Sequence, residues 1–214
     1  MKYYPVYLDL RDRPCLVIGG GTVAERKIFT LFEAGADVTI ISPTLTPKLQ
    51  ELARTGKITH RQKNFEEQDL SNEFLVISAT DSPDVNSIAA KACKKRNILV
   101  NVAVPPDECS FIVPSVVDRG DLLIAVSTSG ISPALAKKIR LELESRYGAE
   151  YALFLKKLAE IRERVIEEVT DERKRRIIFK KIVDSDVINL LQEGRIHDAD
   201  LRMAEISGLK PQDG

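Results

Sequence analysis

Apolar positions in the first hundred residues fall into short solid runs separated by amphipathic stretches. Residues 15–18 (CLVI) are apolar and largely β-branched, as expected of a strand covered on both faces. Residues 37–41, 74–79 and 98–102 repeat that pattern, and 58–62, more polar, predicts a short edge strand. Between the runs, Val23, Ala24, Lys27, Ile28, Leu31 and Phe32 recur at helical spacing before Gly35. Residues 45–55 and 85–96 predict two further helices. Strands alternating with helices of this length predict right-handed βαβ units and a parallel sheet.

The rhythm changes after residue 109. Residues 110–117 and 121–127 are strand-like and joined by Asp118-Arg119-Gly120, which predicts a hairpin turn. A helix follows, with Ser132 suited to the N-cap, Pro133 to the first helical position and Gly148 to the stop. From Ala149 the pattern is helical throughout, and Leu155, Leu158, Ile161, Val165 and Val169 share a face. The fold class expected is α/β: a Rossmann-like parallel sheet, then a small α+β segment, then an all-helical C-terminal region. The boundaries expected are 1–111 for the Rossmann domain, 112–148 for a dimerisation and substrate segment, and 149–214 for the helical domain.

Composition narrows the classes. Of 214 residues, 43% are hydrophobic and 30% charged, a soluble globular balance. Lys plus Arg and Asp plus Glu are both 32, so the basic excess of a general nucleic-acid binder is missing. No apolar stretch approaches the ~20 residues of a membrane span, and the N-terminal residues lack a signal peptide's apolar core, so a cytoplasmic location is expected. Cys15, Cys93 and Cys109 have no motif spacing, and their odd number argues against a disulfide framework.

The chemistry begins at Gly19-x-Gly21-x-x-Ala24, between a predicted strand and a predicted helix. There the first glycine permits a tight turn, the second lets backbone approach a pyrophosphate, and the third small residue packs helix on sheet. Thr22 and Val23 open the helix, whose N-terminus offers free N–H groups to an anion. The acidic residue usual about 20 positions on is missing. The second strand ends in Ser42-Pro43-Thr44, where Ser42 and Thr44 are candidates to bond a ribose. NAD and NADP both remain open on these residues. Thr80 and Asp81 end the fourth strand and are candidate cofactor contacts, with a turn-forming role as the alternative for Asp81.

Three stretches occur in order: LRDRPCLVIGGGTVAERKIFTLFEAGADVTIISP, ISATDSPDVN, and NVAVPPDECSFIVPSVVDRGDLLIAVSTSGISPALAKKIRLELE. Together they resemble the precorrin-2 dehydrogenase family, which includes the N-terminal module of siroheme synthase. The likeness covers nearly the whole chain, and the SFIVPS and AVSTSGISPALA segment is its specific part. The methyltransferase domain fused on in siroheme synthase is not expected in these 214 residues. The resemblance implies NAD-dependent oxidation of precorrin-2 to sirohydrochlorin and, in some members, insertion of ferrous iron as a second substrate. It also implies a homodimer with contacts exchanged around residues 112–150.

Such an oxidation needs hydride loss to the nicotinamide and proton loss to a base. The family's aspartate, aligned without gaps through Asn101-Val102 and Ser110-Phe111, falls on Val104, which takes no proton and binds no metal. Asp107, three residues on, is the candidate replacement, with Glu108 beside it; a solvated loop carboxylate is the competing reading. Slow or relocated dehydrogenase chemistry ranks first, and a non-catalytic dinucleotide- and tetrapyrrole-binding module second. Ser127, Thr128, Ser129 and Lys137 are candidates to bind substrate carboxylates, against a turn, a cap or a solvated helix face. Arg140 reads as solvated face, His60 as edge-strand surface and Cys109 as packing. No His/Cys cluster has metal-ligand spacing, so no resident metal is expected. The run 173–176 (RKRR), with glutamates nearby, reads as a charged outer helix face.

Overall fold

A computed structural model describes residues 2–103 and 106–209. It divides into two compact units, Met1–Val113 and Pro114–Gly214.

In the first unit, β1 (Pro14–Ile18), β2 (Asp37–Ile41), β3 (Thr59–Arg61), β4 (Leu75–Ser78) and β5 (Leu99–Val102) form one sheet in the order β3-β2-β1-β4-β5. Every pairing in it is parallel, with Ile18 beside Ile41 on one side and beside Ser78 on the other. The chain winds outward from β1 to β3 and then crosses back to β4. The order therefore reverses between β1 and β4, where doubly wound folds open a ligand crevice.

Alternate side chains of each strand serve opposite faces. Cys15, Val17, Val38, Ile40, Leu75 and Ile77 pack with Ala24, Ile28 and Leu31 of α1 (Thr22–Glu33) and Leu49 of α2 (Pro47–Arg54). Leu16, Ile18, Ile41, Val76, Val100 and Val102 pack with Ala89, Ala90, Ala92 and Cys93 of α3 (Pro83–Lys95). Both faces are covered, which is why these strands read as unbroken apolar runs. Burying one such Val, Leu or Ile contributes about 1.5–3 kcal/mol. The thiols of Cys15 and Cys93 lie inside these layers, where burial pushes their pKa to about 11 and about 12.

Helix starts follow local chemistry more closely than periodicity. The helix expected from residue 45 begins at Pro47, because Thr46 caps it by accepting the Leu49 N–H. The one expected from residue 85 begins at Pro83 behind the Ser82 cap. Thr59–Arg61 is an edge strand, matching its polar character.

In the second unit, β6 (Ser115–Arg119) and β7 (Leu122–Val126) form an antiparallel hairpin. Asp118 and Arg119, expected in the turn, belong to β6. Arg119 pairs with Leu122, leaving Gly120 and Asp121 as the turn, with Gly120 at φ +69°. A two-residue hairpin loop favours such a left-handed residue. Helix α4 (Pro133–Arg146) starts at the expected Ser132 cap. It ends before the anticipated Gly148, where the Arg119 guanidinium donates to the carbonyls of Tyr147 (2.9 Å) and Glu144 (3.2 Å). Helices α5 (Glu150–Glu168), α6 (Glu172–Val183), α7 (Val187–Gln192) and α8 (Ile196–Ser207) enclose a core of Phe154, Ile182, Val187 and Met203. Among the described residues, no helix is long and apolar enough to cross a membrane.

Candidate functional site

Loops after β1, β2 and β4 meet at the carboxyl edge of the sheet, and the three glycines have different reasons to be bare. Gly19 turns at φ +109°, and a Cβ on it would stand 2.4 Å from the Ala79 carbonyl oxygen. Gly20 is pressed under the next loop: a Cβ there would lie 2.0 Å from the Thr44 carbonyl oxygen, and its own carbonyl accepts the Thr46 N–H at 3.0 Å. Gly21 has ordinary extended backbone, and a Cβ on it would meet nothing within 4 Å. It is the N-cap of α1 and has no side chain to hold the first-turn N–H groups, whereas Thr46 and Ser82 do this for α2 and α3. Thr22 and Val23 beside it are exposed. An open, uncapped helix start with the positive end of its dipole outward fits an anionic diphosphate.

One acid stands in that first turn. Glu25 accepts the Thr46 hydroxyl hydrogen at 2.6 Å and pairs with Lys48 at 3.2 Å. The Thr46 hydrogen bond first, and Lys48 second, hold its carboxyl below the ordinary 4.5. The pair ties the start of α1 to the start of α2 and offsets the negative charge beside the loop.

Of the residues expected at the end of β2, Ser42 is turned to an internal bond. It is buried, and its hydroxyl donates to the Thr44 carbonyl at 2.7 Å. Pro43 and Thr44 are exposed and line a cavity of about 330 Å³ with Leu45, Ala53 and His60. His60 is therefore more than surface. Its Nε2 lies 2.9 Å from the Ser42 carbonyl, which only accepts, so Nε2 carries the hydrogen. At the end of β4, Thr80 is held by Asn86. The Asn86 side-chain oxygen accepts the hydroxyls of Ser78 (2.7 Å) and Thr80 (2.9 Å), and its amide donates to the Thr80 carbonyl at 3.1 Å. The Thr80 hydroxyl thus works within the loop, while Asp81 is exposed.

The end of β5 is built differently. Residues 110–114, expected in a strand of the hairpin, leave it: Ser110 donates its N–H to the Val100 carbonyl at 2.8 Å and accepts the Val100 N–H on its hydroxyl at 2.7 Å. The segment thereby closes the outer edge of β5. Cys109 has its sulfur 3.2 Å from the Val102 N–H. The half-buried Lys27 lies close enough to feel it. Burial, and then neighbouring Arg26, push the Lys27 ammonium below the ordinary 10.5, and Cys109 opposes them. Asp107 is exposed. Glu108 is half-buried, with one carboxyl oxygen accepting the Ser87 hydroxyl hydrogen at 2.9 Å. Its other oxygen, Oε2, is the one buried side-chain oxygen or nitrogen without a hydrogen-bond partner among the described residues. Val104 lies outside the described residues.

In the second unit, the loop after β7 is largely self-satisfied. The Thr128 hydroxyl donates to the Ser132 carbonyl at 2.9 Å, and the Ser127 hydroxyl accepts the Ser129 N–H at 3.0 Å. Ser129 is held at φ +56°, a conformation that serine rarely adopts. Lys137 is exposed on α4, and Arg140 pairs with Glu144.

Comparison with known proteins places these loops in a lineage. A family model described as "Putative NAD(P)-binding" matches residues 6–115. The sirohaem biosynthesis protein central model matches residues 119–146, and the sirohaem synthase dimerisation region matches 150–206. The solved structure of SirC, precorrin-2 dehydrogenase, is 31% identical, with a TM-score of 0.80, over 95% of this chain and 100% of that one. The chain belongs to the precorrin-2 dehydrogenase family. Siroheme synthases are also similar: that of Nitrosococcus oceani is 39% identical over 100% of this chain and 46% of its own length. For Methylobacillus flagellatus the figures are 41%, 92% and 43%. The chain thus spans a little under half the length of the siroheme synthases it matches.

Within the family frame, sequence reasoning missed Gly20, Asn86, Lys27 and the Ser87–Glu108 pair. Lys27 alone had left a signal, a lysine inside an otherwise apolar helical stripe. Gly20 and the Ser87–Glu108 pair depend on neighbours far apart in the chain, and Asn86 on the path of the loop after β4.

Proposed function

We propose that the chain is an NAD⁺-dependent dehydrogenase that oxidises precorrin-2 to sirohydrochlorin in siroheme biosynthesis, acting as a homodimer. The observation that carries the reading is the open, uncapped N-terminus of α1 at Gly21, in a chain that matches a precorrin-2 dehydrogenase along the whole of that protein.

The residues fit the cofactor. The first-turn N–H groups of α1, next to Gly21, Thr22 and Val23, hold the diphosphate. Thr44 and the cavity beside His60 take the adenosine end, with no carboxylate at the end of β2 to bind the ribose. Gly19 and Thr80 hold the crevice between β1 and β4 at its working width. When bound, the nicotinamide supplies the hydride acceptor. Ser129 and Lys137 are the groups of the second unit proposed to meet substrate carboxylates. The dimerisation-region match over α5 to α8 supports the homodimer. Insertion of ferrous iron lies outside the proposal.

A second reading, ligand binding without turnover, is favoured by one observation: valine at position 104. Anaerobic mixing of the protein with precorrin-2 and NAD⁺, followed by absorbance, separates the two. The dehydrogenase produces sirohydrochlorin faster than a protein-free control and only with NAD⁺. Tight NAD⁺ binding without acceleration would leave the binding module.

A further inference from the structure

The family's carboxylate position holds Val104, yet removing two hydrogens from the substrate still releases one of them as a proton. A carboxyl group with one buried, unpartnered oxygen stands on the same edge of the sheet. Glu108 ends a short 3-10 turn, Pro106–Glu108, packed against β5 and α3. Its Oε1 accepts the hydrogen of Ser87 Oγ at 2.9 Å, and its Oε2 is buried and unmatched. Buried carboxyl oxygens are normally paired, and an exception calls for an explanation: a water, an ion or a role in handling protons. Ser87 is half-buried in the second turn of α3 and follows Asn86, whose side chain holds Thr80 next to Gly19. Helix α3 starts after β4 and the Pro106–Glu108 turn follows β5, so the Ser87–Glu108 pair lies at the carboxyl edge of the sheet. Asp107 is exposed and shares none of these features among the described residues.

We propose that Ser87 and Glu108 form a proton relay that replaces the carboxylate missing at position 104. This inference rests on the dehydrogenase reading above. One substrate hydrogen leaves with its electron pair to NAD⁺, giving NADH. The other leaves as a proton to Ser87 Oγ, while the hydroxyl hydrogen of Ser87 passes to Glu108 Oε1. The electron pair left by the proton stays in the macrocycle as a new double bond, and protonated Glu108 later returns its proton to water. Ser87 touches substrate; Glu108 acts through it and positions its hydroxyl. β5 carries no titratable side chain, and α3 carries Asp84 in its first turn with Lys91, Cys93, Lys94 and Lys95 farther along. Asp107 and Cys109 flank Glu108 in the chain.

The test compares precorrin-2 oxidation by wild type, Glu108→Gln, Glu108→Asp, Ser87→Ala and, as a charge control, Asp84→Asn, across pH. Glu108→Gln should lower kcat about 10²–10³-fold and remove the acid-side fall of the pH–kcat profile, with the NAD⁺ Kd unchanged. Glu108→Asp should restore part of the rate together with that limb, and Asp84→Asn should leave both alone. A Glu108→Gln enzyme within about threefold of wild type, or one slowed with its acid limb intact, overturns the relay. Should Glu108→Gln fail to fold, Ser87→Ala decides: a fall in kcat at unchanged Tm supports the relay, and an unchanged kcat overturns it. A wild type that does not oxidise precorrin-2 at all overturns the function and the relay together, which distinguishes that failure from the loss of the relay alone.

Discussion

The ends of β1 and β5 lie on one edge of one sheet, and their polar groups are used differently. Around the β1 loop the polar groups are paired within the fold: Ser42 with Thr44, Thr46 with Gly20 and Glu25, and Glu25 with Lys48. Only the N-terminus of α1 at Gly21 is left open. At the end of β5, a thiol and a carboxyl group with a spare oxygen stand side by side, and the half-buried Lys27 of α1 feels the thiol. A loop that must hold a constant ligand can be rigid and saturated. A loop that must move protons needs groups whose bonding is incomplete. On the proposed reading, binding and chemistry are divided between two loops, and a defect in one should leave the other intact.

The largest expected effect breaks the first loop. Gly20→Ala puts a Cβ 2.0 Å from the Thr44 carbonyl oxygen. The β1 and β2 loops must then separate, at about 1–3 kcal/mol on the usual scale of overpacking. Thermal or urea unfolding should show this as a lower midpoint, and NAD⁺ binding should fall with it. Next comes the second loop. Val104→Asp restores a carboxylate at the family position and should raise kcat about tenfold or more, with the NAD⁺ Kd and Tm unchanged. No gain in the oxidation assay would count against position 104 as the base position.

The smallest effect sharpens the contrast through pH. The folded carboxyl of Glu25 titrates below its ordinary 4.5, so its contribution to stability is complete above that value. The contribution is lost as pH falls through the lower folded value. Wild type should therefore exceed Glu25→Gln in stability at neutral pH, and the gap should close in acid. A gap that stays constant down to pH ~3, below the ordinary carboxylate range, would mean that neither the Thr46 hydrogen bond nor Lys48 favours the charged carboxyl.

What could be read from the sequence follows the same division. The parallel sheet, the glycine turn and the Ser132 cap each rest on residues within a few positions of one another, and all are present. Gly20 was overlooked because it answers to the Thr44 carbonyl, which the pairing of β1 with β2 brings close. Ser42 and Asn86 answer instead to carbonyls in their own loops, whose path no periodicity shows. Ser42 looked free for a ribose until the chain folded the Thr44 carbonyl back onto it. Ser110 looked like the start of a hairpin strand, but both its backbone N–H and its hydroxyl are taken by Val100. The Ser87–Glu108 contact joins residues 21 apart in the chain, and no local pattern announces it.

The most direct test concerns Gly21. Gly19 and Gly20 are bare because backbone presses on them; Gly21, on this account, is bare for a ligand. Gly21→Asp puts a favoured N-cap on α1 where a Cβ meets nothing within 4 Å, so the fold should tolerate it. The new carboxylate would occupy the first-turn N–H groups and repel a diphosphate. Calorimetric titration with NAD⁺, paired with thermal unfolding, should show an unchanged or higher Tm and an affinity at least ~100-fold weaker, about 2.7 kcal/mol. An unchanged Tm with undiminished NAD⁺ binding would contradict the account, because the dinucleotide would then lie elsewhere.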